Sequence, residues 1–306
     1  MKPLLQWAGG KSYMQKHYKP LYPVAFDTYV DPFVGSGGIL VQALQQNPQA
    51  ACYINDSNKY LIGIYEAIKN DWDAFDKKAV EIYDYFYTLP PTEVCNKTRK
   101  AAYYKLREEY NYDYSKWSDT EAAAILFFLL RNCFKGVWHT SKKTGRFSQS
   151  CGTMNDSKNF YSCSGQSFIP YVDLRPNLLE WHNKLQNINI QSGDWKNCSG
   201  LDSPNAWIYL DPPYRGGVMD YGQEGGWTDA NQSELLEYAV NKTHPTTEVW
   251  LSNRDTGDGF FDEVIQQNSY VVNTHKFASK FGLKPTTGPD AKCTELLLIK
   301  KPQQAT

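Results

Sequence analysis

Apolar runs that stop on an acid or amide, each followed by an amphipathic stretch, constrain this chain more than any other feature. "FDTYVDPF" and "AACYIND" read as strands, with "GGILVQALQQ" and "YLIGIYEAIKN" as the helices after them. The pattern returns near the carboxyl end. There "PNLLEWHNKLQ" and "NQSELLEYAVNK" read as helices, and "INIQSGDW", "AWIYLDPPY", "TEVWLSN" and "CTELLLIKK" as strands. Alternation of this kind predicts an α/β fold around a parallel sheet.

A different text separates the two halves. From about Trp72 to Arg131 helical periodicity takes over, clearest in "TRKAAYYKLREEY" and "DTEAAAILFFLLRN". The polar tract after it, "KGVWHTSKKTGRFSQSCGTMNDSKN", has no clean period and predicts long loops or a small hairpin. The expected division is a sheet-forming unit of residues 1–64 and 170–306 interrupted by an inserted unit of residues 65–169. At 306 residues the chain can bury a full core.

The formal net charge of -1 gives no bulk positive field, so any contact with nucleic acid needs a local patch. Seven cysteines, without a CxxC pair, read as reduced thiols in a cytoplasm. The apolar run at Ala122–Leu130 is far below the ~20 residues of a membrane span, and "MKPLLQWAGGKS" is too short in apolar residues for a signal peptide.

"GGKS", Gly9 to Ser12, resembles the end of a phosphate-binding loop, but Leu5 stands where that motif needs a glycine. A flexible turn with Trp7 capping the core is the plainer reading. "DPFVGSGG", Asp31 to Gly38, falls at a strand end and a helix start. Glycines there let the backbone pass close to a ligand, and the free amides of the helix suit a nucleoside-bearing cofactor. The GxGxxG spacing of dinucleotide enzymes is missing. Asp56 in "INDSN" ends the next strand, where an acid can accept ribose hydroxyls; Asp56 or Ser57 can equally cap the following helix.

"DPPY", Asp211 to Tyr214, is the sharpest signal: chance gives it on the order of once in a thousand such chains. An aromatic amine is a poor nucleophile because its lone pair is spread into the ring. Asp211 and a main-chain carbonyl near Pro212 and Pro213 can each accept one amine hydrogen and localise that pair. Tyr214 can stack on a base flipped from a duplex, while Asp211 stabilises the positive charge that develops on nitrogen.

In this order "QWAGGKS", "DPFVGSGG", "INDSN" and "DPPY" resemble the Dam-like, D12 class of DNA adenine methyltransferases, alpha group. The resemblance implies a Rossmann-like sheet, S-adenosyl-L-methionine as cofactor, and methyl transfer to the exocyclic 6-amino group of a flipped adenine in double-stranded DNA. It implies that Trp7 and Lys11 flank the cofactor, that Asp31, Gly35 and Gly37 line its methionine end, and that Asp56 holds the ribose. Asp194 is placed near the cofactor's adenine, Asp211 beside cofactor and target alike, and Pro212, Pro213 and Tyr214 at the base. No metal, membrane or obligate protein partner is expected, and the setting is the cytoplasm of a bacterium or phage-infected host.

The insert then becomes a helical target-recognition domain. Its tract offers Lys135, His139, Lys142, Lys143 and Arg146 for phosphates, with Phe134, Trp138 and Phe147 interleaved as an aromatic wedge; a solvated basic loop is the alternative. The family commonly has tyrosine, asparagine and glycine at this point and then a guanine-reading arginine. This chain has Phe134, Lys135, Gly136 and then His139, so the resemblance carries no GATC specificity across. Methylation of RNA or another planar amine, a silent DNA-binding protein, and a nucleotide hydrolase built on "GGKS" are the competing readings.

Overall fold

The computed structural model describes the chain except residues 8, 90–92, 153–168, 216–226, 256, 263–271, 279–293 and 303–306. A short helix α1 (Gln15–Tyr18) precedes β1 (Thr28–Asp31), α2 (Gly38–Gln46), β2 (Ala51–Asp56) and α3 (Lys59–Asn70). Three consecutive helices follow: α4 (Trp72–Thr88), α5 (Glu93–Tyr112) and α6 (Asp119–Asn132). Then come α7 (Tyr171–Leu185), β3 (Ile188–Ser192), β4 (Ala206–Leu210), α8 (Asp229–Glu237), β5 (Glu248–Asp255), β6 (Val272–Ala278) and β7 (Thr294–Lys300).

The strands form one seven-stranded sheet in the order β3-β2-β1-β4-β5-β7-β6. From β3 to β5 neighbouring strands run parallel, whereas β7 is antiparallel to β5 and β6 antiparallel to β7. The expectation of a parallel sheet therefore holds for its first five strands only. A parallel strand covered on both faces reads as an unbroken apolar run, and all five residues of β4 are buried. Successive side chains alternate between faces. Trp207 and Tyr209 enter the core shared with α2, α3, α4, α6 and α7, while Ile208 and Leu210 enter the second core beneath α8. Trp207 is ringed by Tyr22, Phe26, Tyr29 and Trp250, with centroids 5.2 to 5.5 Å away.

The helical block does not stand apart. Helix α6 starts at a capping box between Ser118 and Glu121 and buries every residue from Ala122 to Leu130. It packs on α3 and α4, and α4 packs on α7. A division after residue 64 falls inside α3, and one hydrophobic core runs across it. Beyond α6 the polar tract closes into a small hairpin with bridges Cys133↔Cys151 and Thr140↔Phe147; its continuation from Thr153 to Phe168 lies outside the described residues. Among the described residues no helix is long and apolar enough to cross a membrane.

Chain order and sheet order together fix where a site can form. From β1 the chain steps outward to β2 and β3, then returns to the other side of β1 for β4 and β5. Between β1 and β4 the crossovers diverge, leaving a crevice at the carboxyl ends of those strands. Asp31 ends β1 and Asp211 follows β4.

Candidate active site

At the end of β4, Asp211 is held from both sides. The Lys11 ammonium lies 2.5 Å from Oδ2, and the Ser252 hydroxyl donates to Oδ1 at 2.7 Å. Lys11 is 3 % exposed and Asp211 18 %. Burial pushes the Asp211 carboxyl up from its ordinary value; the charge and hydrogen bond of Lys11 pull it back, and Ser252 adds to that pull. The "GGKS" lysine is thus a partner of the DPPY acid, 200 positions away in sequence. Its ammonium also donates to Gly9 O.

Tyr214 completes the edge. Its hydroxyl donates to Glu295 on β7 at 2.7 Å, and the Lys11 ammonium stands 4.9 Å from its ring centroid. Asn253, fully buried on β5, accepts from the Arg215 amide at 3.2 Å and donates to Gln232 at 3.0 Å. The Arg215 guanidinium is paired with Asp229 and Asp258 over the Phe260 ring. Strand β5 therefore supports both ends of the DPPY segment through Ser252 and Asn253. Neither residue was singled out by the sequence pattern, although "VWLSN" ends on polar residues just as "YIND" and "IYLD" do.

Two further acids sit at the neighbouring strand ends. Asp31 accepts from the Tyr29 hydroxyl at 2.9 Å and the Phe33 amide at 3.2 Å. Burial pushes its carboxyl up to about 8, and the charges of Asp211 and Asp56 add to the rise. Asp56 accepts from the amides of Gly35 at 3.1 Å and Asn58 at 2.9 Å; burial pushes it up to about 6. The helix-cap alternative for Asp56 or Ser57 is corrected here. Asn58 caps α3, accepting from the amides of Tyr60 and Leu61.

The glycine turn is demanded by packing. At Gly37 φ is +72°, and an added Cβ would lie 2.7 Å from Trp181 Cη2 and 2.9 Å from the Tyr65 hydroxyl. Trp7 lies against the same turn, its Cδ1 3.2 Å from where a Gly35 Cβ would stand. The indole flanks the loop that leads from β1 into α2. Asp194 is exposed and accepts from the Lys196 amide at 3.0 Å, so its side chain caps the short turn after β3.

In the hairpin the outcome is split. Lys135, His139, Lys142, Lys143 and Arg146 are exposed, and Arg146 stacks over Tyr112 at 4.0 Å. Trp138 and Phe147 are 5 % and 3 % exposed, 5.3 Å apart, and Trp138 stacks on Tyr60. The expected aromatic wedge is corrected on that ground: both rings are spent on the core, and only Phe134 stays half-buried at the turn. Gly136, with φ of +61°, presses on the amino-terminal segment; a Cβ there would lie 2.5 Å from Gln6 O. Trp7 follows Gln6, so the turn at Gly136 and the Gly35–Gly37 turn meet along one strap of chain.

Charge gives a test of what the crevice can hold. Asp211 is answered by Lys11, whereas Asp31 and Asp56 are answered by neutral hydrogen-bond donors, whose pull downward is outweighed by burial, so both carboxyls stay raised. Gln6 Oε1 and Asn58 Nδ2 are buried without a hydrogen-bond partner among the described residues. A cationic ligand carrying its own donors and acceptors fits that set.

The comparisons with known proteins agree with this chemistry. The family model for D12 class N6 adenine-specific DNA methyltransferase matches residues 7–278. The chain is 28 % identical over 220 residues to the type II methyltransferase M.MjaIII of Methanocaldococcus jannaschii, covering 70 % of each chain. It is 26 % identical over 303 residues to the retron Ec67 DNA adenine methylase of Escherichia coli, covering 98 % of this chain and 91 % of that one.

Proposed function

Because the chain belongs to the D12 class of N6 adenine-specific DNA methyltransferases, we propose that its crevice binds S-adenosyl-L-methionine and that Asp211 to Tyr214 receive an adenine flipped out of double-stranded DNA. The observation that carries this reading is the setting of Asp211. It stands at the β1/β4 switch point, fixed between Lys11 and Ser252, with Asp31 and Asp56 close enough for their charges to interact with it.

The cofactor supplies a methyl group made electrophilic by a sulfonium. Asp31 and Asp56, raised and answered only by neutral donors among the described residues, suit its positive groups and its ribose. The Gly35–Gly37 turn and Trp7 frame its methionine end, and Asp194 stands toward its adenine. Lys11 belongs to this frame through its contact with Asp211.

On the acceptor side, Asp211 and the carbonyl of the Pro212–Pro213 segment accept the two hydrogens of the exocyclic amine. The lone pair is then directed out of the ring plane toward the methyl carbon. Tyr214 stacks on the base and sets its depth. The nitrogen would take the methyl group as the methyl–sulfur bond breaks, the bonding pair leaving on sulfur as a neutral thioether, and would lose one proton, which Asp211 accepts and passes to solvent. Lys11 and Ser252 hold the carboxylate in place before the reaction, so no reorientation has to occur during it. Lys135, His139, Lys142, Lys143 and Arg146 meet the DNA backbone, with Phe134 at the turn, within a target-recognition unit formed by the inserted helices and hairpin. Such a reaction belongs where the DNA is, in the cytoplasm of a bacterium or of a phage-infected host.

The test is incubation of the protein with methyl-labelled cofactor and either duplex DNA or RNA, followed by nucleoside analysis. Label on N6 of deoxyadenosine in one sequence context is expected. Label confined to RNA, or to another base, would overturn the reading.

A further inference from the structure

We propose that Glu295 is the positioning residue for Tyr214, fixing the plane of the ring on which the target base stacks; the inference rests on the base-binding role assigned to Tyr214 above. A tyrosine ring after two prolines has a stiff backbone behind it, but its side chain still turns about two bonds. Something has to hold it. The hydroxyl donates to Glu295 Oε2 at 2.7 Å. A carboxylate acceptor makes that bond stronger and more directional than a neutral one.

Glu295 is 6 % exposed. Burying a carboxylate is costly unless it accepts hydrogen bonds, so this acid at a strand end asks for an explanation in what it touches. It lies on β7, in register with Arg254 of β5 and Phe277 of β6. The antiparallel strand β7 is what brings it beside the end of β4, 81 positions from the ring it holds. At the ring itself, Lys11 stands 4.9 Å from the centroid while Glu295 anchors the hydroxyl. One face of the ring is taken by the cation and its edge is pinned by the acid, so in this reading the base stacks on the opposite face.

The experiment uses the full chain and a duplex carrying 2-aminopurine at the adenine mapped as its target. Stacking of that base on Tyr214 quenches its fluorescence. Single-turnover methyl transfer on the unmodified duplex is read in parallel, with cofactor affinity measured as the control of the fold. Glu295→Ala is expected to slow transfer on the order of tenfold, the worth of a hydrogen bond to a charged group, and to weaken the quenching, with cofactor affinity kept. Glu295→Gln, which can still accept the hydroxyl, is expected to recover most of the loss. In a Tyr214→Phe background Glu295→Ala is expected to have no further effect, since the hydroxyl through which it acts is gone. Equal losses in both backgrounds, or no loss in the first, would overturn the inference. If Glu295→Ala fails to bind cofactor, Glu295→Gln with and without Tyr214→Phe decides in the same way: coupled effects support the anchor, and additive or absent ones overturn it. Absence of methyl transfer by the unaltered protein on any DNA would instead sink the reading of function.

Discussion

The carboxyl ends of β1, β2 and β4 and the hairpin at 139–148 are built in opposite ways. Asp31, Asp56 and Asp211 each receive two hydrogen bonds or ion pairs from groups fixed in the core or in the backbone. The hairpin cations project from a turn held by the Thr140↔Phe147 bridge and the backbone bonds of Ser141 and Ser148. Chemistry at one amine needs groups that are already in place when charge develops. Neutralising phosphates needs only positive charge within reach. The contrast explains why substitutions at the strand ends should act on rate, and substitutions in the hairpin on DNA affinity and its salt dependence.

Short of removing Asp211 itself, the largest effect is expected at Lys11. Lys11→Met removes the cation that offsets the buried Asp211 carboxyl. Single-turnover transfer should fall on the order of 100-fold, with the acid limb of the pH–rate profile moved to higher pH. An unmoved acid limb would separate Lys11 from the acid and weaken the contrast between the two regions. Ser252→Ala, which removes the donor to Asp211 Oδ1, should cost about tenfold in the same rate and little in DNA affinity.

The cofactor side gives a pH test. A cation binds the ionised forms of Asp31 and Asp56, whose carboxyls in the free protein are raised to about 8 and about 6. Binding then requires loss of a proton from each acid that is protonated. Affinity measured by calorimetry should weaken as pH falls below about 8 and more steeply below about 6, by up to about tenfold per unit for each acid. A flat profile from pH 8 to 5 would separate these acids from cofactor binding.

Smallest are the hairpin effects. Lys142→Ala or Lys143→Ala should each reduce the slope of log affinity against log salt by about 1, weaken DNA binding a few-fold, and leave the rate at saturating DNA unchanged. A fall in that saturated rate would mean that the hairpin takes part in positioning, and would blur the comparison.

How far each region could be read beforehand follows the same division. Strands β1, β2, β4 and β5 announced themselves as apolar runs, because strands largely covered on both faces carry few polar positions between their first residue and the crevice. Strand β6, "VNTHKFA", mixes polar and apolar residues at the far edge of the sheet and gave no such signal. The direction of β7 was equally hidden, since apolar content is the same either way along a strand. Asp211 was legible because two prolines and a tyrosine made its setting improbable; Ser252 and Glu295, single polar residues inside strands, act only through the fold. Trp138 and Phe147 were misread for a physical reason: aromatic residues alternating with cations look alike whether the rings face a groove or a core. Lys11 was noticed in "GGKS", but its closeness to Asp211 depends on a crossing of the chain that no local pattern encodes.

The central claim is that Asp211 acts on the target amine in the transition state and contributes little to holding either ligand. Asp211→Asn, nearly isosteric, puts it to the most direct test: single-turnover methyl transfer alongside separately measured affinities for cofactor and target duplex. A loss of about 100- to 1,000-fold in rate, with both affinities within a few-fold of the unaltered protein, is the predicted result. Transfer at close to the original rate, or a loss explained entirely by weakened binding, would contradict it.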